Sequence, residues 1–161
     1  MNLTYTRRYG RAPGGQRLDQ AVPLHHGPNL TVVAALTPKG LEAVLALDGA
    51  VNRARFAVYL EQVLGPTLEP GEVVVLDNLR VHKAAGLAEL VEARGARLLF
   101  LPPYSPDFTP IELAFSKLKT YLRTAAARPR ETLTAALQAA LTWITEQDAQ
   151  NWFHHCGYHV N

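Results

Sequence analysis

The chain has 161 residues, 48% apolar and 19% charged, which is one ordinary domain with enough apolar content for a core and excludes a disordered segment. Its single cysteine, Cys156, excludes an internal disulfide and a Cys-cluster zinc site, and no run approaches the ~18 uninterrupted apolar residues of a membrane span. The net charge of +2 hides two positive blocks, +3 over residues 1–19 and +4 over 77–130, against −2 over 20–76 and −3 over 131–161; such blocks suit a polyanion partner and equally a solvated surface.

The opening MNLTYTRRYG lacks the apolar stretch of a signal peptide, so the expectation is a cytoplasmic protein in which the sequons at Asn2 and Asn29 have no role. GRAPGGQ, residues 10–16, reads as a loop, and a weak strand is predicted over 17–24. LTVVAALT at 30–37 and LEAVLAL at 41–47 read as strands joined by a Pro38-Lys39-Gly40 turn. Phe56, Tyr59, Leu60 and Val63 recur at helical spacing and predict a helix over 52–64. After a turn at Pro70-Gly71 comes EVVVLD, 72–77, an unbroken apolar run expected to be a strand buried on both faces. A helix is predicted over 84–94 with Leu87, Leu90 and Val91 inward. Gly95 ends it, and ARLLFL at 96–101 reads as a second buried strand. The Pro-rich loop PPYSPDFTP, 102–110, leads into a helix with Ile111, Ala114, Phe115, Leu118, Tyr121 and Leu122 on one stripe. A further helix starts near Pro129, and a short last helix carries Trp152 and Phe153. Strands, then strand–helix–strand, then helices predict a mixed α/β sheet with helices on its faces.

Few residues stand out chemically. Asp77 ends the predicted strand 72–77, where ligands of open α/β sheets bind, and a carboxylate there suits a hard cation such as magnesium; it equally suits capping of the following turn. Glu112 falls in the first turn of the helix after the Pro-rich loop, beside Ser116, Lys119 and Arg123 on the polar side. Thr109-Pro110-Ile111-Glu112 also spells a capping box. His82 lies five residues past Asp77, placed to orient a metal-bound water, to touch a phosphate or simply to face solvent. His154, His155 and Cys156 match no zinc spacing and read as structural.

The combination is more specific than its parts. Asp77-Asn78 with His82 behind, 34 intervening residues, and then LPPYSPDFTPIELAFSKLK at 101–119 resemble the catalytic domain of the DDE transposases, in the bacterial insertion-sequence branch related to the mariner elements. TRRYGRAP at 6–13 and WFHHCGY at 152–158 resemble that branch too, so the likeness covers nearly the whole chain. It implies a ribonuclease-H-like fold of five strands, whose first strand lies between the second and fourth, and an activity of DNA cleavage and strand transfer. It implies magnesium or manganese as cofactor, Asp77 and Glu112 as catalytic metal ligands, and Asn78 and His82 as their supports. Arg7, Arg8, Arg11, Lys117, Lys119 and Arg123 are the implied phosphate contacts. The implied partners are DNA, both element ends and target, and a second copy of the chain, with no membrane.

The family uses three carboxylates, Asp, Asp and Glu, the first on the first strand. The segment NLTYTRRYGRAP normally follows that strand closely, and here it follows Met1. Neither Asp19 nor Asp48 matches the first position. The expectation is therefore that residues 1–161 form one partial catalytic domain, without the first strand or the amino-terminal DNA-binding region. Its strands are then the family's second to fifth, with two edges open, and its turnover is little or none. The alternative is a non-catalytic remnant, at most a basic DNA-binding or oligomerisation module.

Overall fold

A computed structural model describes residues 10–17, 19, 30–103, 105–125 and 130–159. The weak strand predicted over 17–24 lies mostly outside the described residues. Two strands, β1 (Leu30–Thr37) and β2 (Gly40–Asp48), form an antiparallel hairpin running from Thr37 opposite Gly40 to Leu30 opposite Asp48. The turn falls at Pro38-Lys39, as predicted. The pairing shifts between Val33 and Ala35, where β2 carries an extra residue and Ala43 takes a φ of 48°.

Next come α1 (Arg53–Tyr59), a π-helical turn (Leu60–Leu64) and a 3-10 turn (Gly65–Thr67), in place of the single helix predicted over 52–64. The apolar spacing runs through this segment, but its end is set by Gly65-Pro66. The Gly65 N–H reaches back to the Leu60 carbonyl. A Cβ at residue 65 would stand 2.7 Å from that oxygen, so the close approach requires glycine.

The third and fourth strands are β3 (Val73–Leu76) and β4 (Arg97–Phe100), paired in parallel with Val73 opposite Arg97 and Leu76 opposite Phe100. The crossover between them carries α2 (Leu87–Glu92), shorter than the predicted 84–94, with Leu87 and Val91 buried. Three longer helices follow: α3 (Pro110–Ala125), α4 (Arg130–Thr142) and α5 (Glu146–His155). Among the described residues, none of these helices is long and apolar enough to cross a membrane.

Two buried clusters hold these elements. Leu30 of β1 packs with Ala114, Leu118 and Leu122 of α3, Leu137 and Ala140 of α4, and Ile144; Val32, Leu36 and Leu41 lie against them. The second cluster is Phe56, Tyr59, Leu60, Leu64, Leu87, Val91 and Ala96. Val33, Ala35, Ala43 and Leu45 of the hairpin lie against it, and so do Val74, Leu76 and Leu98 of the parallel pair. Both sheets therefore rest on one helical layer. Among the described residues no strand joins β1 to β3, so the four strands form two pairs. The arrangement is mixed α/β with flanking helices, as the sequence predicts.

Burial corrects the reading of the parallel pair. Its strands are expected to be buried on both faces, yet Val73, Val75 and Leu99, which share one face, are 43%, 37% and 53% exposed. The reason is the distribution of helices. α3 packs on β1 and α5 on β2, so the second helical layer covers the hairpin. Among the described residues nothing equivalent covers the outer face of β3 and β4.

Candidate active site

Asp77 is the first residue after β3. Its Oδ1 accepts the Leu79 N–H at 2.9 Å, closing an Asx turn, and accepts from Nδ1 of His82 at 2.7 Å. The His82 N–H bonds the Leu79 carbonyl at 2.9 Å, and the imidazole lies against the Phe56 ring with centroids 4.5 Å apart. Asn78 donates through its side-chain amide to the Leu101 carbonyl, tying the ends of β3 and β4 together. The turn-capping reading of Asp77 therefore holds. One oxygen holds the turn and the histidine, while the half-exposed carboxylate still faces outward.

Glu112 lies exposed in the first turn of α3. The capping-box reading does not hold for it. The Thr109 hydroxyl donates to the Ser105 carbonyl at 3.5 Å, and only the backbone N–H of Glu112 turns back, to the Thr109 carbonyl at 3.1 Å. The box that forms is at α5. There the Thr145 hydroxyl accepts the Asp148 N–H at 3.2 Å, and Asp148 Oδ2 accepts the Thr145 N–H at 2.9 Å. The Glu112 carboxylate instead borders a cleft of about 630 Å³ between β1 and α3. Thr31 and Val32 line one wall, and Glu112, Phe115, Ser116, Lys119 and Arg123 the other. The helical spacing of those polar residues made their shared side legible; nothing in the sequence marked Thr31 and Val32 as the facing wall.

The six implied phosphate contacts separate. Lys119 and Arg123 line the cleft one and two turns beyond Ser116. Lys117 faces elsewhere, with its ammonium 2.6 Å from Asp148 and 5.1 Å from the centre of the Trp143 ring. That pairing, first the Lys117 hydrogen bond and then the Thr145 N–H, lowers the Asp148 carboxyl to about 2. Arg11 is exposed in a loop, and Arg7 and Arg8 lie outside the described residues.

Asp77 and Glu112 are oxygen donors of the kind a hard divalent cation takes. Their number falls short. Among the described residues no group of three or more His, Cys, Asp or Glu gathers closely enough to hold a metal.

The profile of a family described as DDE superfamily endonuclease matches residues 1–134. No curated protein matches the chain. Several solved structures share its fold. One, described as the Mos1 transposase paired-end complex with left transposon end, is 18% identical with a TM-score of 0.76 over 97% of this chain and 49% of that one. Another, the Mos1 mariner paired end complex with Mn, is 19% identical with a TM-score of 0.68 over 94% of this chain and 47% of that one. A third, a pre-cleavage Mos1 transpososome, is 17% identical with a TM-score of 0.68 over 94% and 48%. The chain spans about half the length of the solved structures it matches.

Proposed function

Because the chain belongs to the DDE superfamily endonucleases, we propose that it is the carboxyl-terminal part of a transposase catalytic domain, which cuts DNA at element ends and joins the freed 3′ ends to target DNA. The observation that carries this reading is Glu112, a carboxylate outside any capping box in the first turn of α3, on the same wall of a cleft as Lys119 and Arg123. A phosphodiester backbone fits that arrangement: two cations to hold it and a carboxylate at one end. The similar structures, transposase complexes with transposon ends and one with Mn, support DNA and a divalent ion as its partners.

In this reading Asp77 and Glu112 hold magnesium or manganese. Such ions activate water and stabilise the leaving oxygen. The protein's own residues prepare the site. His82 and the Leu79 N–H fix the rotamer of Asp77, and Asn78 holds the turn against the end of β4. Lys119 and Arg123 hold the backbone along α3, and Arg7, Arg8 and Arg11 add positive charge to the amino-terminal segment. Two carboxylates make an incomplete set, so the chain alone is expected to show little or no nicking with magnesium or manganese. Fusing a strand that ends in Asp before residue 2 restores metal-dependent nicking. Asp77→Asn or Glu112→Gln then abolishes it, and a fused protein that nicks normally with Gln at 112 contradicts the assignment.

A second reading rests on the same shortfall, the lack of a three-ligand group among the described residues. In it the chain is a non-catalytic remnant that binds DNA through its basic residues or associates with another copy. Its signature is salt-sensitive, sequence-independent binding that neither carboxylate substitution weakens and no fused strand converts into cleavage.

A further inference from the structure

WFHHCGY, residues 152–158, has no part in the site described so far. Its geometry gives it one. α5 closes in a glycine turn: Gly157 takes φ 85°, its N–H bonds the His154 carbonyl at 3.0 Å, and the Tyr158 N–H bonds the Phe153 carbonyl at 2.9 Å. These are the paired bonds of a Schellman motif, and they turn the chain back on itself. The Tyr158 ring stands edge-on to Phe153 with centroids 5.7 Å apart, and its hydroxyl donates to the Phe108 carbonyl at 2.8 Å. Burial and then the charge of Asp107 push the Cys156 thiol up.

Phe108 stands four residues before Glu112. Its N–H bonds the Ser105 carbonyl at 3.3 Å, the Thr109 hydroxyl bonds that same carbonyl, and the Glu112 N–H bonds the Thr109 carbonyl. Hydrogen bonds thus lead from the last turn of the chain to the first turn of α3. Three residues of the loop between β4 and α3, Pro102, Pro103 and Pro106, have no backbone N–H to donate.

We propose that Tyr158 is a positioning residue for Glu112: by holding the Phe108 carbonyl it fixes where α3 begins, and with it the direction of the Glu112 carboxylate. The proposal rests on the reading of Glu112 as an active-site carboxylate. The Lys117–Asp148 pair anchors α5 to α3 separately, at the other end of α5, so removing the Tyr158 hydroxyl leaves α5 docked.

Tyr158→Phe keeps the ring and its contact with Phe153 and deletes only the donor. Amide hydrogen exchange on the full chain reads the effect. Glu112 and Leu113 should exchange about five- to tenfold faster, while Leu122 and Ala149 keep their wild-type rates. Unchanged exchange at Glu112 overturns the proposal, and so does an equal rise at all four amides, which marks a general loss of stability. Paramagnetic broadening by Mn²⁺ alone gives the second readout. Weaker broadening at Glu112 in Tyr158→Phe, with that beside Asp77 retained, supports positioning; equal broadening at Glu112 in both proteins overturns it. A local rise in exchange, with no broadening at Glu112 even in the wild type, upholds the Tyr158 tie and removes the metal-ligand reading instead.

Discussion

The hairpin β1–β2 and the parallel pair β3–β4 rest on the same helical layer, yet only the hairpin has a second layer behind it. α3 and α5 close its outer face, whereas Val73, Val75 and Leu99 of the parallel pair face outward. The proposed site draws on both. Glu112 belongs to the well-packed half, on a helix anchored by Leu118 and Leu122; Asp77 belongs to the half-covered one, at the end of β3. The contrast teaches that Asp77 owes its position to local bonds more than to burial. The His82, Leu79 and Asn78 contacts do for it what a second helical layer does for Glu112.

The contrast can be broken by truncating side chains on each half. Leu118→Ala, in the cluster behind the hairpin, should cost about 2–5 kcal/mol, while Leu99→Ala on the bare face should cost less than about 1 kcal/mol. Urea denaturation measures both. Equal costs would mean that the outer face of β3–β4 is covered after all.

A smaller effect sharpens the packed half. The Asp148 carboxyl is lowered to about 2 in the folded state, below its ordinary value near ~4. Its contribution to stability is therefore complete above pH ~4 and is lost as pH falls through about 2. Lys117→Ala should cost about 1 kcal/mol at neutral pH and flatten that acid limb, seen in denaturation midpoints taken between pH 5 and 2. Lys117 and Lys119 should also part in DNA binding. Lys119→Ala lowers the salt slope by about 1, whereas Lys117→Ala leaves it nearly unchanged, because its ammonium is held by Asp148.

The smallest effect belongs to the shared layer. Among the described residues the buried Tyr59 hydroxyl has no hydrogen-bond partner, and burial raises its pKa. Tyr59→Phe should be neutral or stabilising by up to about 1 kcal/mol, since it removes an unsatisfied polar group. A clear loss of stability would show that the hydroxyl is satisfied in solution.

Much of this arrangement was legible in the residues. The β-branched run at 30–37 marked β1 to its ends, and helical spacing put Glu112, Ser116, Lys119 and Arg123 on one side of α3. The bare face of β3–β4 was not legible, because Val73–Leu76 is apolar at every position and so carries no alternation to show which side lacks a partner. The π turn escaped because the apolar period continues through Val63 and Leu64. The capping box misled at Thr109, whose hydroxyl turned to Ser105 within a proline-bound loop, while the same logic held at Thr145. The Tyr158 contact joins residues 50 apart, beyond any local pattern.

The central claim is that Asp77 and Glu112, from the two differently supported halves, serve one metal. Titrating the full chain with Mn²⁺ and following the amide signals beside each carboxylate tests it directly. The account predicts that signals around Asn78–Leu79 and around Glu112–Leu113 broaden over the same concentration range, and that either Asp77→Asn or Glu112→Gln abolishes both effects. Broadening at only one of the two places, or broadening that survives both substitutions, would contradict it.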